Sequence, residues 1–192
     1  MKPGSAEFAL FRTLRLLAIM SRLRRLVLSN RFFFISCRLA RKRQMLCDGE
    51  FGQLAQVIHT RRKRHGFLLT AWVFLPDHWH AIFYPHSPLT ISDVMEAIKV
   101  SSTRQINRAR GESGPLWQGR FFDRALRTVK EYNETLVYIH WNPVKAGLVA
   151  QPEQWRWSSV HDFSVRKARP IVANNALVID PVELPLDPQA RI

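Results

Sequence analysis

FLLTAWVFLPDHWHAIFY, residues 67–84, decides the fold. Two runs dense in aromatic and aliphatic residues flank Pro76-Asp77, a pair that favours a tight turn. The pattern predicts a strand over 67–75, a turn, and an antiparallel partner over 78–84. That is a hairpin with His78 and His80 beside its turn. Successive side chains on a strand point to opposite faces, so the two imidazoles share one face and Trp79 takes the other. Co-directed imidazoles are a ready pair of metal ligands. Alone, a His-x-His pair serves a structural role equally well.

Outward from the hairpin, residues 31–39 (RFFFISCRL) have the aromatic and β-branched density of a buried strand. A basic loop, Arg41-Lys42-Arg43, follows. Over 49–64, Phe51, Leu54, Ala55 and Ile58 fall at helical spacing, and the run ends in Arg61-Arg62-Lys63-Arg64 before Gly66. Part of that cationic cluster suits the helix dipole. Downstream, Pro85 and Pro88 end the hairpin, and Thr90 with Asp93 makes a capping box for a helix running to residue 110. A glycine-rich loop leads into 116–127 (LWQGRFFDRALR), a fourth strand threaded with basic residues. Thr128 and Glu131 repeat the capping spacing and open a further helix, which Asn142-Pro143 is expected to stop. The order βαββαβα is the ferredoxin-like α+β arrangement: an antiparallel sheet with helices on one face, followed by a last helix able to cross back toward the hairpin. The expected domain spans 31–163, between a basic N-terminal extension (1–30) and a Pro-studded C-terminal tail (164–192). The extension admits two readings, an amphipathic helix lying on DNA or a segment unrelated to the core.

At 192 residues the chain suits one domain with a real core. Its formal net charge of +14 is the footprint of a nucleic-acid binder. Residues 1–65 hold 15 Lys/Arg against 3 Asp/Glu, which leaves only +2 for the remainder. Cys37 and Cys47 are too few for a disulfide framework or a thiolate zinc site, in keeping with a reducing cytoplasm. Arg interrupts every long apolar run, which argues against a membrane span, and Arg12 and Arg15 spoil residues 8–20 as a signal peptide.

The second half of the site pattern is YIHWNP, residues 138–143. At about 100° per helical residue, Tyr138 and Asn142 lie within about 40° of each other on one face. A phenol and an amide there are able to face the two imidazoles across a cleft. Ile82 stands where a His-x-His-x-Asp hydrolase needs Asp and a histidine-triad hydrolase needs His. A mixed imidazole and oxygen set with open positions better suits Mg²⁺ or Mn²⁺ holding a phosphate than zinc. Tyr138 then has a role as nucleophile toward a DNA phosphodiester, although it also fits as a half-buried core tyrosine. Tyr132 falls on a different helix face, and Tyr84 stands on the histidine strand itself.

LTAWVFLPDHWHAIF, LWQGRFFDRALR, YIHWNPVKAGLV and WRWSS, in that order, resemble the REP-associated tyrosine transposases. These are single-tyrosine HUH transposases, in which two histidines flank one hydrophobic residue. The resemblance covers residues 31–163 and implies a ferredoxin-like fold, a divalent metal ion (Mg²⁺ or Mn²⁺) and single-strand DNA cleavage through a 5′-phosphotyrosine intermediate. It makes His78 and His80 metal ligands, Asn142 a further ligand and Tyr138 the nucleophile. The family's DNA is a palindromic repeat folded into a hairpin, with a short recognition tag at its foot. Lys99, Arg104, Trp117, Gln118 and Arg120 are the expected DNA contacts, cations for phosphates and a ring for bases. Residues 1–30 and those after 163 fit no part of the motif. DNA is the expected partner and no membrane is; monomer and homodimer stay open. Two rival functions remain, a DNA-binding regulator that does not cut and a metal phosphodiesterase that uses water, with Tyr138 merely structural.

Overall fold

The structure, a computed structural model, describes residues 29–164 and 177–192. The extension 1–30 therefore lies almost wholly outside the described residues, as does part of the tail. The elements are β1 (Phe33–Arg38), α1 (Asp48–His65), β2 (Leu68–Phe74), β3 (His78–Tyr84), α2 (Ile91–Arg110), β4 (Phe122–Ala125), α3 (Val129–Lys145), a 3-10 turn (Pro152–Gln154) and α4 (Val160–Ser164). All sheet pairings are antiparallel, in the order β2-β3-β1-β4. This is the ferredoxin-like arrangement expected from the sequence.

Capping chemistry sets the helix boundaries. Asp93 N donates to Thr90 Oγ1 (3.2 Å) and Thr90 N to Asp93 Oδ2 (2.9 Å), closing the box that starts α2. Gly66 ends α1 at φ 72°, a left-handed conformation that costs a glycine nothing. Two expectations change. The fourth strand shrinks to Phe122–Ala125, because its first half is a loop held just beyond the end of β1 by an isolated bridge, Leu39 with Trp117. Pro143 does not stop α3, which continues to Lys145. A proline in the last turn removes a single amide donor, and Ala146 N still reaches Asn142 O at 2.9 Å.

Strand alternation sorts the core into two layers. Ile35, Cys37, Trp72, Phe74, Trp79 and Phe83 pack under α1 and α2 with Phe51, Leu54, Ile58, Met95 and Ile98. Phe32, Phe34, Ala71, Val73, Leu75 and Ile82 face the other way, where α3 covers them with Tyr132 and Ile139. Both sheet faces are thus covered, and α3 is the helix that packs on the histidine face.

Residues 177–192 belong to this body. Leu177 is buried, and Asp180 exchanges hydrogen bonds with Leu69 on the outer edge of β2. Val182, Leu184 and Ile192 then pack on the α3 side. The carbonyls of Ala190 and Pro188 accept from Val129 N (3.1 Å) and Lys130 N (2.8 Å), two amides of the first turn of α3 that have no partner within the helix.

Candidate active site

The period of two in β3 puts His78, His80 and Ile82 on the α3 face and buries Trp79 completely in the opposite core layer. The two imidazole rings stand 4.8 Å apart, centre to centre. His78 Nδ1 is 2.5 Å from Asp77 Oδ1, which fixes the ring and leaves Nε2 as the open nitrogen. His80 stacks on Phe34 at 5.3 Å, and both of its ring nitrogens are buried without a hydrogen-bond partner. The backbone of Ile35 and the Asn142 side chain nevertheless approach closely enough to favour its charged form.

Helix α3 brings Tyr138 edge-on against this group, 5.5 Å from the His80 ring and 5.7 Å from Phe34. Asn142, one turn on, donates its amide N–H to Tyr138 O at 2.9 Å. Lys145 Nζ lies 5.0 Å from the centre of the Tyr138 ring. Tyr132, by contrast, is buried against Phe32, and Tyr84 packs on Phe32 and His86. Of the chain's three tyrosines, Tyr138 alone has its ring against His80.

Burial lowers the pKa of His78, against the opposing pull of Asp77. His80 is lowered further, first by burial and then by the charge of His78. Both rings are therefore neutral at pH 7, the form in which imidazole binds metal. Among the described residues, no three His, Cys, Asp or Glu side chains converge on one point. A cation beside these imidazoles would take its third protein donor from the Asn142 amide oxygen.

The expected DNA contacts divide. Trp117 is 3% exposed and donates Nε1–H to Ser102 Oγ at 2.8 Å, so its ring belongs to the core and is not free to stack on a base. Lys99 gives its ammonium to the carbonyls of Gln118 (2.7 Å) and Gly119 (2.8 Å), holding the loop ahead of β4. Gln118 and Arg120 are exposed on that loop. Arg104 lines a groove of about 380 Å³ between α1 and α2, with Arg61 and Arg108. Three residues around the site were not anticipated: Asp77 as the partner of His78, Lys145 and Arg38. Lys145, three residues after Asn142 and seven after Tyr138, carried a helical-spacing signal. Arg38 carried an alternation signal, sharing parity with Phe34 and Ser36.

Residues 32–142, from the start of the sheet to Asn142, match the family Transposase IS200 like. The chain is 32% identical over 153 residues to the REP-associated tyrosine transposase of Escherichia coli (strain K12), covering 79% of this chain and 90% of that one. It belongs to the IS200-like transposases. With the family comes the activity class, DNA nicking and joining. A solved structure of a REP-associated tyrosine transposase bound to a REP hairpin superposes with a TM-score of 0.67 at 30% identity, covering 90% of this chain and 99% of that one. The IS200-like match contains every residue of the cluster described above except Lys145.

Proposed function

We propose that this transposase nicks and rejoins single-stranded DNA beside hairpin-forming palindromic repeats, with Tyr138 as nucleophile and His78, His80 and Asn142 as ligands of Mg²⁺ or Mn²⁺. The observation that carries the reading is the Tyr138 ring standing 5.5 Å from His80, on the one sheet face that both imidazoles share. The donor set fits a cation: neither buried nitrogen of His80 makes a well-formed hydrogen bond, and His78 is turned by Asp77 to present its other nitrogen. Bound there, a divalent ion supplies a Lewis acid for a phosphoryl oxygen.

The chain's own residues do the rest. The Tyr138 phenol loses its proton to solvent as its oxygen attacks phosphorus. The new bond joins Tyr138 Oη to the 5′ phosphate; the P–O3′ bond breaks, and the 3′ oxygen leaves with the electron pair and takes a proton from water. Attack by a 3′ hydroxyl on the phosphotyrosine reverses the step and joins the strands. Lys145 Nζ, 5.0 Å from the centre of the phenol ring, sets a positive charge beside the attacking group. Hairpin DNA is the substrate class suggested by the bound partner of the structural relative. The groove of Arg61, Arg104 and Arg108 suits the phosphates of its stem.

Incubation with end-labelled hairpin DNA and Mn²⁺ should give a covalent protein–DNA adduct that survives denaturant. The adduct should be absent from Tyr138→Phe and from protein treated with chelator. Abundant adduct from Tyr138→Phe would overturn the assignment of the nucleophile.

A further inference from the structure

Arg38 is the last residue of β1 and stands directly across from His78 in the β1–β3 register. Alternation puts it on the same face as Phe34, whose ring touches both His80 and Tyr138. Its backbone is held on both sides. Arg38 O accepts from Gln118 N at 2.9 Å, and the next amide, Leu39 N, donates to Asp77 O at 2.9 Å. The head is not so held. The side chain is 58% exposed, and Nη1 lies 3.8 Å from Asp77 Oδ2, the carboxylate oxygen that His78 does not use. An exposed ion pair this loose adds little stability, so the fold gives no reason for an arginine here. The chemistry does. Negative charge develops on the non-bridging oxygens of a phosphoryl group in transfer, and a guanidinium presents paired donors to two oxygens at once.

We infer that Arg38 is a catalytic residue of this transposase, leaving Asp77 to grip the non-bridging oxygens of the scissile phosphate while Tyr138 attacks. The inference rests on the reading of Tyr138 as nucleophile. The two cations then divide the work: Lys145 stands over the attacking ring, and Arg38 beside the histidines where the phosphate must lie.

The test pairs Arg38→Ala and Arg38→Lys with hairpin DNA carrying either the ordinary phosphodiester or a neutral methylphosphonate at the cleaved linkage, each diastereomer separately. On the phosphodiester, Arg38→Ala should slow adduct formation on the order of 10³-fold, with Arg38→Lys recovering only part because it lacks the fork. On at least one methylphosphonate diastereomer the same deficit should fall below about tenfold, since the charge that Arg38 answers is gone. Unchanged thermal unfolding should accompany this, because the side chain is exposed. Equal deficits on both linkages, or a wild-type rate from Arg38→Ala, would overturn the inference and leave the Tyr138 reading intact. No adduct from the unmodified protein would overturn both.

Discussion

His140 offers a stability test whose size follows from its surroundings. It lies two residues after the nucleophile on α3, is 8% exposed, and sits 3.0 Å from Ser159 Oγ. Ser159 in turn accepts from Trp72 N at 2.9 Å, so this contact ties α3 to β2. Burial, and secondarily the charge of His161, push its pKa from 6.5 down to about 4. In the unfolded chain the ring binds a proton below pH 6.5; in the folded one it resists until about pH 4. The unfolded state therefore holds more protons in that window, and stability falls as pH falls. The loss from this one ring comes to about 2 kcal/mol at pH 5 and about 3 kcal/mol at pH 4, a large share of a typical domain's margin. Asp162 works the other way: burial raises its pKa, so it returns some stability as it protonates. Comparing wild type with His140→Gln removes that and other shared contributions. Urea unfolding at pH 7, 6, 5 and 4 should show the Gln variant less stable at pH 7, by its altered contact with Ser159. The gap should close by about 2 kcal/mol at pH 5. A gap that stays constant within about 0.5 kcal/mol over that range would refute the argument that the buried ring stays neutral.

The other predictions concern the site and its DNA. Asp77→Asn should weaken Mn²⁺ binding by about 10- to 100-fold, read by calorimetry on the DNA-free protein, because the carboxylate that orients His78 is lost. Replacing Arg104 and Arg108 together with Ala should weaken hairpin binding while lowering the slope of log K against log salt by about 2. The adduct yield at saturating DNA should not change.

The sequence carried the fold because local signals agreed at each step. The Thr90–Asp93 box, Gly66 and the two runs around Pro76-Asp77 each fix a boundary through chemistry within a few residues. The His-x-His pair and Tyr138 were legible for the same reason, since their faces follow from strand and helix periodicity. What escaped was decided by contacts distant in sequence. Trp117 carries an exposed-looking, basic neighbourhood, but its indole finds Ser102 across the α2 layer. Lys99 looks like a surface cation until the loop of Gln118 and Gly119 folds over it. The tail after residue 177 has no periodicity, and its place comes from Asp180 meeting β2 and from helix amides that only the fold exposes. Pro143 misled because the penalty for a proline depends on how much helix remains beyond it, and here only Val144 and Lys145 do.

The arginine groove and the tyrosine lie on opposite sides of one sheet. A nucleic acid that engages both has to travel around the rim of the molecule, so its reach becomes a requirement as real as its sequence. Oligonucleotides trimmed on either flank should hit a length threshold below which anchoring and cutting come apart, the stub still entering the catalytic side but no longer held from behind.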